Sequence, residues 1–292
     1  MTDGGVLKHD VTKFIREKRS NVLIKFTNFC NKNFLAPLSV KLNVLDSCGA
    51  SSLLYASETW IDYGKEAKVI YRNGLRAALG LRTNINNEIV YIESGRYPLK
   101  CRILKLQLKF WLSLKTYCEK SPESALKHFL DIANQIDLPF VKWYKSLEER
   151  YGSPENCQSM MEAEYRMKWK TTIEGTLDRD SRLGTYIQVN PSLSTPIYIN
   201  AVMFETDRII LTRFRCGSHS LAIEKGRYSN TPRDERLCSC GEVQTIMHCF
   251  TACPVTQHLL NGKEYASLQD VFSDENICLL LHKISKVLRL SI

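Results

Sequence analysis

No apolar run in this 292-residue chain approaches the about 20 residues that a bilayer-spanning helix needs. The sequence also lacks a low-complexity tract, a heptad pattern and an internal repeat, which excludes a collagen, a coiled coil and a solenoid. Alternating apolar and polar segments are scarce, so a sandwich or barrel is not expected. The opening Met1-Thr-Asp-Gly-Gly leads into charged rather than apolar sequence, and nothing reads as a secretory leader or a lipidation signal. Carboxylates form no metal-like cluster. These absences leave an ordinary globular composition, with 44% hydrophobic and 24% charged residues.

Cysteine is not scarce. There are 11, an odd number in a long chain without a leader, and that reads against a secreted disulfide framework. Reduced thiols in an intracellular compartment, nucleus or cytoplasm, fit better. The net charge of +9 favours a polyanionic partner, nucleic acid first, and no membrane.

Four residues in one short stretch carry the clearest chemistry. In Cys238-Ser-Cys240-Gly-Glu-Val-Gln-Thr-Ile-Met-His248-Cys249-Phe-Thr-Ala-Cys253-Pro254, three of the four thiols stand with an imidazole at knuckle-like spacing. Such a Cys₃His set can close a tetrahedral Zn²⁺ site, with Cys238, Cys240, His248 and Cys253 as donors. Cys240-Gly241 reads as a tight turn, Val243–Phe250 as a short helix that brings His248 inward, and Cys253 returns before Pro254. One residue between the first two cysteines is tighter spacing than usual. Cys249 and His258 compete as donors. Some of these thiols would otherwise be buried small hydrophobes. Four protein donors leave no open position, so the zinc would be structural and not a hydrolytic centre.

Helical periodicity dominates the rest, and the expected class is mostly α, with helical regions followed by a small irregular zinc module. An amphipathic, basic helix is expected over about 8–30, with Val11, Phe14, Ile15, Val22, Leu23, Phe26 and Phe29 on one side. Pro37 opens a second helix running to about Trp60, and Asp62-Tyr63-Gly64 breaks it. Helices follow near 65–79, 86–93 and 98–119, with Phe110 and Trp111 of the last expected in the core. Ser121-Pro122-Glu123 opens another short helix. Residues 151–158 read as a polar loop, 158–172 as a helix, and 174–185 as a charged connection. Tyr186-Ile-Gln-Val189 is the best strand candidate, and short strand is also expected around the zinc turn. Pro191 and Pro196 bound an irregular segment, followed by helices near 199–215 and 274–290. The expected segmentation is 1–64, 65–190 and 191–292.

Arginine and lysine are dense between 208 and 236, where acids are few. Arg208, Arg213, Arg215, Lys225, Arg227, Arg233 and Arg236 are candidates for phosphate contact. His219 is a further polar candidate, although packing or capping is its commoner role. Tyr228 and Phe214 could stack on bases, with Phe214 better placed in the core. A merely solvated basic face is the competing reading.

Several of these stretches resemble the C-terminal part of non-LTR (LINE-type) retrotransposon reverse transcriptases. Cys238-Ser-Cys-Gly-Glu through His248-Cys-Phe-Thr-Ala-Cys253-Pro is similar to the Cys-Cys-His-Cys knuckle of those polyproteins, and Leu211 to Tyr228 with Pro232 to Cys238 to the basic approach before it. Leu45-Asp-Ser-Cys-Gly-Ala-Ser-Ser-Leu-Leu-Tyr-Ala-Ser-Glu58-Thr59-Trp60 resembles a thumb helix, with Ala56 where glycine or cysteine is usual. Gly95-Arg-Tyr-Pro-Leu99 resembles the turn that follows the thumb. The resemblance implies a thumb-onward fragment that binds RNA or an RNA–DNA hybrid. It implies no complete polymerase site, because the chain has no Asp-Asp dipeptide to hold two Mg²⁺ ions, and palm, fingers and nuclease are not in it.

Two other classes compete. An enzyme would need a reactive thiol beside a base, and Cys249 next to His248 is the tempting pair, although adjacent helical residues point apart. A helical protein-interaction scaffold or inert remnant is the other, and the salt dependence of RNA binding separates it from the nucleic-acid reading.

Overall fold

In the computed structural model, the described residues are 13, 17, 21–59, 65–175 and 181–290. They are mostly α-helical and contain one isolated antiparallel bridge, Leu237 with Val243, at the Cys238–Gly241 turn. The amphipathic helix appears over 21–32 (α1). Val11, Phe14, Ile15, Trp60 and the 62–64 break lie outside the described residues.

Pro37 does precede a helix, but the run to Trp60 is not continuous. Helix α2, Leu38–Val44, gives way to a π-helical turn, Leu45–Ala50, then to α3, Ser51–Leu53, and a 3₁₀ turn, Ser57–Thr59. Ala56 sits between the last two at φ 58°. That left-handed conformation favours glycine over alanine.

Helices α4 (Lys65–Leu79), α5 (Asn87–Ser94) and α6 (Lys100–Lys120) follow the expected spans. Asn86 caps α5 by accepting from Glu88 N, and Gly95 ends it at φ 62°. Helix α7 (Ala125–Gln135) is capped by Ser124, and α8 (Pro139–Tyr151) starts on its proline. The expected 151–158 loop is mostly helix. Tyr151 closes α8, and α9 (Pro154–Glu174) opens on Pro154, so only two residues separate them. Proline at a first helical position is favourable, and it does not force a loop.

The strand expected at 186–189 is helix α10, Arg182–Val189, capped by the Ser181 side chain. Tyr186 and Val189, one turn apart, are both buried, so tertiary packing overrides the β preference of a short Tyr-Ile-Gln-Val window. Helix α11 spans Glu205–Arg215 and not 199–215, because Ile197–Asn200 forms a 3₁₀ turn first. Helices α12 (Ala222–Tyr228), α13 (Ile246–Thr251) and α14 (Leu268–Ser273) follow, and the terminal helix expected at 274–290 is α15 (Ile277–Val287).

The chain divides into two compact units, each discontinuous in sequence. The first takes residues up to Phe26, Val44–Asn73 and Tyr97–Trp169. Its core is built on α6, α7, α8 and α9: Leu104, Leu108, Leu130, Val141, Leu147 and Met161 pack around Trp111 and Tyr144. The Trp111 and Tyr144 rings stack with centroids 5.5 Å apart. Phe110, expected in the core, is 39% exposed, because its neighbour Trp111 takes the inward face. Gln107 Nε2 donates to Ser57 O at 3.2 Å, fastening the 3₁₀ turn to α6.

The second unit takes Thr27–Asn43, Gly74–Arg96 and Lys170–Ile292. Its core joins α11, α13, α14 and α15 through Ile210, Phe214, Ile246, Phe250, Val271 and Leu281. The cysteine-rich segment is therefore part of this core and not a detached knuckle. Charge is buried here as well. Lys41, on α2, reaches Glu205 at 2.7 Å and is 0% exposed. Glu93 is fully buried and accepts from Tyr186 Oη (2.7 Å), Tyr198 Oη (2.8 Å) and Arg215 Nε (2.7 Å).

Candidate metal centre and basic segment

The Leu237–Val243 bridge closes a short hairpin, in which Cys238 N donates to Glu242 O at 2.7 Å and Gly241 N to Cys238 O at 3.0 Å. Gly241 takes φ 93°, open to glycine and strained for other residues. With one residue between them, Cys238 and Cys240 both turn to the same side of this hairpin. The chain then enters α13. Thr245 caps it by accepting from His248 N at 3.0 Å, and His248 is its third residue. Beyond the helix, Cys253 N donates to His248 O at 2.9 Å, and this bond swings the last thiol back toward the hairpin.

The four donor atoms of Cys238, Cys240, His248 and Cys253 lie within 4.8 Å of one another and can hold a metal ion. Sγ of Cys238 and Cys253 are 3.6 Å apart, and Sγ of Cys253 and Cys240 are 3.9 Å apart. Cys240 Sγ is 3.2 Å from His248 Nε2. A tetrahedral ion with metal–sulfur bonds of about 2.3 Å requires sulfurs about 3.8 Å apart. The set meets that without rearrangement.

Burial opposes the Cys238 thiolate, but hydrogen bonds from the Cys240 backbone, His248, Cys253 and Cys240 outweigh it and bring that thiol down to about 6. The Cys240 thiol is raised. Hydrogen bonding from the Glu242 backbone favours its thiolate, but burial and the neighbouring thiols of Cys238 and Cys253 oppose it more strongly. Gln244 stands outside the donors, with Nε2 3.7 Å from Cys238 Sγ and Oε1 accepting from Ala222 N at 2.6 Å. It ties the centre to α12. Such outer contacts orient ligands, and Gln244 was not singled out from the sequence, where only its place inside the motif hints at it.

The competing donors are elsewhere. Cys249 is buried in the apolar core, and burial pushes its thiol far up. His258 lies exposed on the 3₁₀ turn Gln257–Leu259. Neither joins the four.

The basic residues of 208–236 are not one solvent-facing strip. Arg208 is 2% exposed and engages Glu205 at 2.5 and 3.0 Å. Arg215 pairs with buried Glu93. His219 is 4% exposed, stacks on Phe214 at 4.7 Å, and accepts from Leu221 N. Arg236 donates to Thr231 O and Ile223 O. These four serve the interior of the second unit, and Phe214 is in its core as expected. Lys225, Tyr228 and Arg233 are exposed, while Arg213 and Arg227 are half-buried.

No protein-family model matches the chain, and neither the curated proteins nor the solved structures include a match to it.

Proposed function

We propose that the second unit is a non-catalytic nucleic-acid-binding module whose Cys238, Cys240, His248 and Cys253 hold one structural zinc ion. The observation that carries this reading is the convergence of those four donors within 4.8 Å. Thiolates with one imidazole in tetrahedral spacing suit zinc, and four protein donors leave no position for water or substrate. The Cys249–His248 pair is no nucleophile and base, because Cys249 faces the core and its thiolate is disfavoured there by burial. The likeness to the thumb-onward part of non-LTR reverse transcriptases and the charge of +9 support RNA or an RNA–DNA hybrid as the partner. The exposed and half-buried residues Arg213, Lys225, Arg227, Tyr228 and Arg233 carry the contact, and Arg208, Arg215, Arg236 and His219 hold the unit in shape.

Elemental analysis of the purified chain should give about one zinc per molecule, since the set has four donors for one tetrahedral ion. Single-stranded RNA should bind with a log–log salt slope of about −0.7 per phosphate neutralised. Cys253→Ser should remove the zinc and weaken RNA binding without changing any basic residue. Chelation should speed amide exchange over 236–260. Chains with no zinc and no RNA or hybrid binding at any salt concentration would leave only the scaffold reading.

A further inference from the structure

Away from the metal centre, the second unit draws four arginines around one short loop. Residues 80–86 join α4 to α5, and the arginines gather around 80–84. Gly80 O accepts from Arg213 Nε at 2.9 Å, and Asn84 O accepts from Arg182 Nη1 at 3.2 Å. Arg82, in the loop itself, reaches Ser220 Oγ through Nη2 at 3.2 Å. Tyr228 Oη donates to Asn84 Oδ1 at 3.0 Å, and the Cζ atoms of Arg182 and Arg82 lie 5.2 and 6.0 Å from the centre of its ring. Arg227 completes the group. It shares the buried carboxylate of Glu224 with Arg182, at 3.0 and 2.6 Å.

Among the described residues, two of these guanidinium groups lack a carboxylate. Glu224 takes Arg182 and Arg227, and among the described residues Arg82 and Arg213 have no carboxylate partner. Each engages the protein through one side-chain nitrogen and keeps further N–H donors of its guanidinium. The surroundings register the excess. Burial, followed by the charges of Arg182, Arg227 and Arg82, presses His219 down to about 3. Burial and Arg82 also disfavour the charged form of Arg213. Like charges gathered at a partly desolvated place destabilise the fold unless something offsets them. Among the described residues, Tyr228 and Glu224 offset them in part. An anion with several acceptor oxygens offsets the rest, and arginine forks match phosphate oxygens best.

We propose that Arg82, Arg182, Arg213 and Arg227 form a phosphodiester-binding site, with Tyr228 as the residue that positions two of the guanidinium groups, and that the backbone of a single RNA strand docks there. This rests on the nucleic-acid reading of the second unit, and it adds Arg82 and Arg182, which lie outside the 208–236 segment. The site fits a backbone and not a base. Its donors are guanidinium groups around a loop, and the exposed aromatic ring already carries two of them.

The test is anisotropy of labelled single-stranded RNA over a salt series, with the full zinc-loaded chain. Arg82→Gln with Arg213→Gln should weaken binding about tenfold at low salt and make the log–log slope shallower by about 0.7 to 1.4, one to two phosphates' worth. Lys283→Gln with Lys286→Gln removes the same charge from exposed positions of α15 and should change binding much less. Tyr228→Leu should weaken binding several-fold, and Tyr228→Phe, which keeps the ring, should restore most of it. Far-UV circular dichroism and zinc content should match the parent in every variant. A readout on the parent alone covers misfolded variants: RNA should slow amide exchange over 80–84 and 222–228.

RNA binding by the parent with no protection there, or equal losses in the arginine and lysine variants, overturns the site and leaves the nucleic-acid reading standing. Protection of those amides by inorganic phosphate, with none from RNA, makes it a small-anion site and overturns the RNA assignment. No binding of RNA or hybrid by the parent overturns both.

Discussion

The two units place their charges differently. In the first, ion pairs lie at the surface: Arg150–Glu164 at 2.6 Å has both side chains about half exposed, and Lys115–Glu148 and Lys127–Asp131 are also open to water. Its interior is apolar and aromatic, centred on Trp111 and Tyr144. The second unit has surface pairs too, such as Lys170–Glu174, but it also pairs charges in its interior. Glu93, Lys41, Arg208 and Glu224 are buried, each with a partner within hydrogen-bonding reach. Surface pairs contribute little, because water and salt screen them. Buried pairs contribute little net as a pair, but removing one partner leaves an uncompensated charge. One unit should therefore tolerate loss of a carboxylate that the other does not.

The largest expected effect tests that contrast. Glu93→Gln strips the charge from the acceptor of Tyr186, Tyr198 and Arg215 and should cost about 3–5 kcal/mol. Glu148→Gln in the first unit, where Glu148 accepts from Lys115 and Trp111, should cost about 1 kcal/mol or less. Urea unfolding followed by circular dichroism reads both. Similar costs would remove the distinction.

The next effect is a pH dependence belonging to the second unit. His219 is buried there and pressed down to about 3, whereas His128 in the first unit is exposed. Unfolded, a histidine titrates near 6.5. Between about 3 and 6.5 the unfolded chain thus binds more protons at this position than the folded one, so stability rises with pH across that window and falls on acidification. At pH 5 the loss due to His219 should be about 2 kcal/mol relative to neutral pH. His219→Gln, which keeps an acceptor for Leu221 N, should flatten the stability profile by that amount between pH 7 and 5. An unchanged slope would mean that His219 is accessible to protons in the fold.

The metal centre was legible in the sequence because its information is local. Cys238, Cys240, His248 and Cys253 fall within one hairpin and one helix, and Thr245 and Gly241 mark where the chain turns. Long helices such as α4 and α6 were legible for the same reason, since their periodicity covers several turns. The burial of Arg215 was not legible because its counter-charge is distant in sequence. Nothing near Arg215 announces Glu93, and only the fold brings them to 2.7 Å. Tyr186 to Val189 failed for a related reason. A four-residue window with three β-prone residues cannot reveal that Tyr186 is to meet Glu93 from a helix. Arg82 and Arg182 were not among the contact candidates because both lie outside the dense 208–236 segment, and their meeting at Tyr228 is a tertiary fact.

The smallest effects come from exchanging glycine and alanine in opposite directions in the two units. Gly80 in the second unit has φ 70°, and a Cβ there would approach Ile209 Cγ1 to 2.8 Å. Gly80→Ala adds backbone strain and overpacking together and should cost about 2 kcal/mol. Ala56 in the first unit has the same sign of φ, 58°, but already carries its Cβ. Replacing it relieves about 1 kcal/mol or more of left-handed strain. Glycine returns about half of that through the greater freedom of the unfolded chain. Ala56→Gly should therefore stabilise the chain by about 0.5 kcal/mol. Denaturant midpoints measured side by side resolve a difference of that size when the slopes match. Trp111, Trp143 and Trp169 lie in the first unit, so their emission reads the Ala56 variant where the change is made. A loss of stability at Ala56→Gly would show that the turn between α3 and Ser57–Thr59 is held by the alanine methyl and not merely tolerated by it.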